Sequence, residues 1–138
     1  MFHLSIVTAE KTIYDGDIEM LVAPAIDGEV GILTNHHPLV TKLGPGGMKI
    51  TKADKTEEYL FISGGYLEVN NNKATILADA LENADQVEKE QAKAARERAQ
   101  SMIKTAKDDL MRENLEKELQ VQMLRERFAD VAEAKRRK

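Results

Sequence analysis

Tyr66-Leu67-Glu68-Val69-Asn70-Asn71-Asn72-Lys73-Ala74-Thr75-Ile76-Leu77 is the stretch from which the fold can be read. Two short runs alternate apolar with polar residues, as half-buried strands do, and the asparagines between them tolerate the positive φ angles of a tight turn. The stretch reads as a β-hairpin. Towards the N-terminus the same grammar recurs in Phe2 to Val7, Ile18 to Ala23, Glu29 to Leu33, Met48 to Thr51 and Tyr59 to Ile62. Seven short strands suggest a sandwich. Ile26-Asp27-Gly28-Glu29 and Leu43-Gly44-Pro45-Gly46-Gly47 read as turns, with Pro24 and Pro38 at strand ends or edges.

Past this hairpin the residue usage changes, at about position 84. Every glycine and proline lies before it, the last being Gly65, as do all the histidines and all the aromatics except Phe128. Every arginine lies after it. Residues 85–138 therefore contain no helix breaker, and they open with Asp85-Gln86-Val87-Glu88, an Asp variant of the capping box. A first helix follows, with a mostly alanine stripe at Val87, Ala94 or Ala95, Ala99, Met102 and Ala106. After a polar stretch from Thr105 to Asp109, a second helix carries Met111, Leu115, Leu119, Met123 or Leu124, Phe128 and Val131 at three- and four-residue spacing. The expected organisation is a β-sandwich over residues 1–84 and a two-helix tail over 85–138.

A large apolar side chain is worth roughly 1.5–3 kcal/mol when fully buried, whereas ordering one residue costs about 1–2 kcal/mol of backbone entropy. So sparse a tail must lean on the sandwich or on another protein's helix, and the two arrangements are expected to lie close in free energy.

Composition removes several classes of function. With no cysteine there is no disulfide framework, thiolate nucleophile or zinc-thiolate site. No apolar run approaches the roughly 20 residues of a membrane span, and Met1-Phe2-His3-Leu4 lacks a basic leader, so a soluble, uncleaved chain is expected. Residues 1–84 carry 6 Lys against 12 Asp and Glu, net −6, and residues 85–138 carry 14 Lys and Arg against 12 Asp and Glu, net +2. The chain's net charge of −4 argues against nucleic acid as the principal partner, since phosphate neutralisation calls for a basic face.

No catalytic set converges. His36-His37 invites a metal, but neighbours on an extended chain point to opposite sides and no further ligand spacing is present, so none is expected. Gly44-Pro45-Gly46-Gly47 lacks the Lys-Ser/Thr of a phosphate-binding loop, and Ser63-Gly64-Gly65 lacks the elbow of a nucleophilic serine. Both read as turn glycines. The terminal Lys135-Arg136-Arg137-Lys138 suits the negative end of a helix dipole.

In order along the chain stand Val7-Thr8-Ala9-Glu10, Gly28-Glu29-Val30-Gly31-Ile32-Leu33, His36-His37-Pro38-Leu39-Val40-Thr41, Ser63-Gly64-Gly65-Tyr66-Leu67-Glu68-Val69 and Thr75-Ile76-Leu77-Ala78-Asp79. Each is weak alone, but five collinear matches followed by a charged helical pair make the chain resemble the epsilon subunit family of F-type, proton-translocating ATP synthases along essentially its whole length. The resemblance implies a ten-stranded β-sandwich followed by an antiparallel two-helix hairpin. It further implies a non-catalytic rotor subunit whose sandwich binds the gamma subunit and the c-ring, at the cytoplasmic face of a bacterial inner membrane or the stromal face of a thylakoid. The tail is then a switch that extends along gamma towards the catalytic alpha and beta subunits and restrains ATP hydrolysis.

Residue by residue, Glu29 and His36 match the family's rotor contact. Arg125, Arg127, Phe128, Lys135, Arg136 and Arg137 belong to the inhibitory tail. Some members bind ATP through Ile/Leu-Asp-x-x-Arg-Ala. The stretch here, Val87-Glu88-Lys89-Glu90-Gln91-Ala92, replaces Asp by Glu88 and Arg by Gln91 ahead of Ala92. A glutamine lacks the charged fork that holds an anion, so ATP binding is expected to be weak or absent and no cofactor is expected. The alternatives are a stand-alone module whose helices clamp clients, which would not copurify with gamma, and an independent enzyme, which lacks a converging nucleophile, base or metal set.

Overall fold

The computed structural model describes the backbone of residues 1–83 and 89–136 and the side chains of these up to residue 131. The chain divides into two compact units, Met1–Asn83 and Ala84–Lys138. The first is built of β1 (Phe2–Val7), β2 (Thr12–Ala25), β3 (Gly28–Ile32), β4 (Leu39–Leu43), β5 (Gly46–Lys52), β6 (Glu57–Ile62), β7 (Gly65–Asn70), β8 (Lys73–Ala78) and β9 (Leu81–Asn83). The second contains α1 (Lys89–Lys104) and α2 (Asp109–Arg136).

Hydrogen bonding runs β1-β8-β7-β4-β2-β5-β6-β9, with β3 on β2 and β1 closing onto β2. All pairs are antiparallel except β1 with β8. One layer is β1-β8-β7-β4 and the other is β3-β2-β5-β6-β9. The 14-residue β2 serves both. Its first half pairs with β1, its second half with β3 and β5, and Ala25 meets Leu43 of β4. A register shift against β5 between Ile18 and Met20 lets it bend.

The sandwich therefore has nine strands among the described residues, not ten, because Thr12–Ala25 passes through both layers unbroken.

Alternate residues of β1 to β8 fill the space between the layers. Phe2, Leu4 and Ile6 of β1 meet Ile18 and Leu21 of β2, Met48 and Ile50 of β5, Leu67 and Val69 of β7, and Ala74 and Ile76 of β8 in one buried cluster. No polar side chain among the described residues is buried, so nothing in this core offsets the gain from apolar burial.

The β7–β8 hairpin turns at Asn71 and Asn72, with φ of 52° and 59°. Of the two glycines after Ser63, Gly65 is the more constrained. Its φ is 151°, a conformation costly for any residue with a Cβ, and a Cβ there would run into the Leu77 carbonyl.

In the second unit the expected cap at Asp85 and Glu88 lies outside the described residues. The first helix closes with a tight turn in which Thr105 N–H and Thr105 Oγ1 both donate to Met102 O, at 3.2 Å. Asp108 caps the second, accepting from Met111 N–H at 2.7 Å. The helices are antiparallel, because Lys89 pairs with Asp130 at 2.7 Å and Arg96 with Glu126 at 2.6 Å. Among the described residues of this unit, Ala92, Ala99 and Ala129 are buried.

Candidate functional site

Glu29 is exposed on β3, one residue past Gly28 and opposite Pro24. Among the described residues β3 pairs only with β2 and so forms an edge of the sheet. His36 lies in the loop after β3, half-buried, its N–H donating to Leu33 O at 3.2 Å and its Nδ1–H to the His37 carbonyl at 2.6 Å. Glu29 is separated from Ile32 by about 10 Å along the strand before that loop begins. Glu29 thus stands near the start of β3 and His36 past its end, and of the two only His36 lines the cleft described next.

The loop is tied to the rest of the sandwich. Asn35, at φ 60°, donates its N–H to Asn72 Oδ1 at 2.8 Å. Asn72 Nδ2 donates to the Met1 carbonyl at 2.9 Å, and the Asn72 carbonyl accepts from His3 N–H at 3.2 Å. An open cleft lies between the two segments, lined by His36, Pro38 and Asn71 among others.

Sequence reading did not single out an apolar outer surface that the register assembles. Lys42, Tyr66, Leu77 and Val7 stand side by side across β4, β7, β8 and β1, and Val40 stands one step along β4 on the same face. Val40 is 75% exposed, and Tyr66 and Leu77 55% each. The signal was present in Val40, Tyr66 and Leu77, but their common face depends on a register that no local pattern supplies.

His3 was also missed. Its ring lies between Asp17, which meets Nδ1 at 3.0 Å, and Asp15, which meets Nε2. The hydrogen bond to Asp17, then that to Asp15, raises the imidazole pKa above its ordinary 6.5, since both partners favour the charged ring. Among the described residues no group of three or more His, Asp or Glu is placed to hold a metal ion.

In the tail, Arg125 Nη1 donates to Gln122 at 3.4 Å, Phe128 is half-buried and Arg127 is exposed. Lys135 and Arg136 fall on α2 but their side chains, like all of Arg137, lie outside the described residues. So do Val87 and Glu88 of the degenerate nucleotide motif, whose Gln91 is exposed and Ala92 buried. The apolar residues of α2 are spread around the helix. Leu115, Leu119 and Phe128 are partly covered, as is Leu124 of the alternatives Met123 and Leu124, but Met111 and Val131, expected on the same stripe, are exposed.

These features define a class: a small sandwich bearing an edge strand and an apolar outer face, joined to a weakly buried helical hairpin. Residues 1–84 match the family model described as the ATP synthase delta/epsilon chain β-sandwich domain. The chain is 39% identical over 114 residues to the ATP synthase epsilon chain of Dichelobacter nodosus, covering 83% of this chain and 80% of that one. It is 44% identical over 100 residues to the epsilon chain of Desulforamulus reducens, covering 72% and 75%. A chain in the cryo-EM structure of the Euglena gracilis mitochondrial ATP synthase, with OSCP, F1 and c-ring, shares the fold at a TM-score of 0.79 and 21% identity, over 87% of this chain and 76% of that one. This chain belongs to the ATP synthase epsilon-chain family. Among the described residues no helix is long and apolar enough to cross a membrane.

Proposed function

We propose that this chain is a non-catalytic central-stalk subunit of a proton-driven ATP synthase, peripheral to the membrane, that couples the c-ring to the gamma subunit and restrains ATP hydrolysis with its tail. The family match over residues 1–84 carries this reading, together with epsilon-chain relatives aligned over most of their length. Glu29 on the edge strand β3 and His36 in the loop after it suit contact with a protein partner better than capture of a small ligand. Val40, Tyr66 and Leu77 give the sandwich an apolar surface for a protein partner, as exposed apolar patches do. The charges at Arg125, Arg127 and Lys135 to Arg137 face the catalytic head when the tail extends.

The hairpin is suited to switching because little holds it shut. Among the described residues the buried side chains are those of Ala92, Ala99 and Ala129, all small, and the Lys89–Asp130 and Arg96–Glu126 pairs are partly solvated. Separating the helices uncovers the α2 face that carries Glu126 and Ala129, with Leu115 and Leu119 on the same side by helical spacing, and that face can pack on gamma instead. Nucleotide binding has no part in this reading, since Gln91 stands where an anion would need an arginine.

The test is deletion of residues 85–138 in the reconstituted complex. The expected result is intact assembly and proton coupling with raised ATPase activity. Unchanged hydrolysis across a range of ATP concentrations would remove the inhibitory role, and failure of the full chain to retain a gamma-type coiled coil in a pull-down would favour a stand-alone clamp.

A further inference from the structure

We infer that Asn72 is a positioning residue for the His36 loop, fastening it to the chain's first strand and to the β7–β8 turn. Three segments distant in sequence meet on this one side group and its own peptide. The Asn35 amide reaches Asn72 Oδ1 at 2.8 Å, Asn72 Nδ2 reaches the Met1 carbonyl at 2.9 Å, and His3 N–H reaches the Asn72 carbonyl at 3.2 Å. Few side chains can do this. The position needs an acceptor and a donor on one short planar group, which only a carboxamide supplies, and it needs a positive φ, here 59°, which asparagine tolerates better than other non-glycine residues.

The geometry of the loop makes the fastening matter. Asn35 is itself at φ 60° and directly precedes His36, so the bond to its N–H holds the Thr34–Asn35 peptide, one residue ahead of His36, against the sandwich. The remaining bonds within the loop are local, His36 N–H to Leu33 O and the ring to the His37 carbonyl. Without Asn72 the loop keeps its internal turn but loses its fixed place on the sandwich. This inference rests on the proposed rotor contact only for its functional consequence.

The test uses the full chain with Asn72→Gly, which keeps the turn because glycine adopts positive φ at little cost, and Asn72→Asp, which keeps an acceptor for Asn35 and loses the donor to Met1. Amide exchange at Asn35 should rise about tenfold in Asn72→Gly, as expected for loss of one net hydrogen bond, and Asn72→Asp should recover part of the protection. In the reconstituted complex, Asn72→Gly and His36→Ala should lower ATP-driven proton pumping together, with Asn71→Gly in the same turn as the neutral control. Unchanged exchange at Asn35 in Asn72→Gly overturns the inference. So does a pumping defect in His36→Ala that Asn72→Gly does not share. Loss of Asn35 protection with normal pumping in both variants upholds the positioning role and sinks the rotor contact at His36 instead.

Discussion

The sandwich and the hairpin are held together by opposite means. Eight of the sandwich's strands contribute large apolar side chains to one cluster, and its β2 is paired along nearly its whole length. Among the described residues the hairpin buries Ala92, Ala99 and Ala129, and Lys89–Asp130 and Arg96–Glu126 run between its helices. Burial of large groups makes a unit cooperative, whereas small residues and ion pairs leave one that opens cheaply. A single chain thus carries a stiff body and a yielding arm. The two can be followed separately, because all three tyrosines (Tyr14, Tyr59, Tyr66) lie in the sandwich and both helices in the tail. Tyrosine fluorescence therefore reports the first and helical circular dichroism the second.

The largest effect is expected at Gly65. Gly65→Ala forces a Cβ against the Leu77 carbonyl at a backbone conformation that alanine resists, and should cost the sandwich about 3–5 kcal/mol in urea unfolding followed by tyrosine fluorescence. Stability within about 0.5 kcal/mol of the parent would show a looser body than described. Next is Ala99→Leu, which overfills a closed helical position and should weaken the helical transition by about 1–3 kcal/mol while the tyrosine transition stays in place. If both transitions moved together, the two units would be one cooperative body and the contrast would fail.

Smaller again is Arg96→Gln, which removes an ion pair whose side chains are 23% and 20% exposed. It should cost the hairpin about 1 kcal/mol, less in high salt. A loss that ignores salt would mean that Arg96 acts by packing.

The smallest effect concerns pH, and it belongs to the body alone. His3 is held above its ordinary pKa by Asp17 and Asp15, so the folded state favours the charged ring. The stabilisation is fully present below about pH 6.5, the unfolded value, and is lost as pH rises through the raised folded value. His3→Gln should abolish that part of the pH dependence of the tyrosine transition and leave the helical one unmoved. An unaltered pH profile would exclude the His3 clasp as its source.

What could be read in advance follows the same division. The β7–β8 hairpin is where its alternation and asparagines put it, because its pairing is local. The first half of β2 was not legible: Asp15-Gly16-Asp17 is poor strand sequence, and it is extended because β1 pairs with it. β4 hides between Pro38 and Gly44-Pro45, where punctuation masks five strand residues, and β9 is only three residues long. The α2 stripe was legible in part: Leu115, Leu119, Leu124 and Phe128 are partly covered, while Met111 and Val131 at its ends are exposed. Glu29 and His36 were singled out through family resemblance rather than pattern, and their role as a rotor contact stays a proposal. Asn72 and the Arg96–Glu126 pair could not be found that way, because each acts across 30 residues or more.

The long shared strand has a mechanical meaning. β2 is stitched to β1 over its first half and flanked by β3 and β5 over its second, so a lengthwise tug on it would have to shear several ladders at once instead of unzipping one rung at a time. A component meant to pass a twisting force from one neighbour to another gains from such a keel. Stress entering at either layer is spread over both before any single strand can slip.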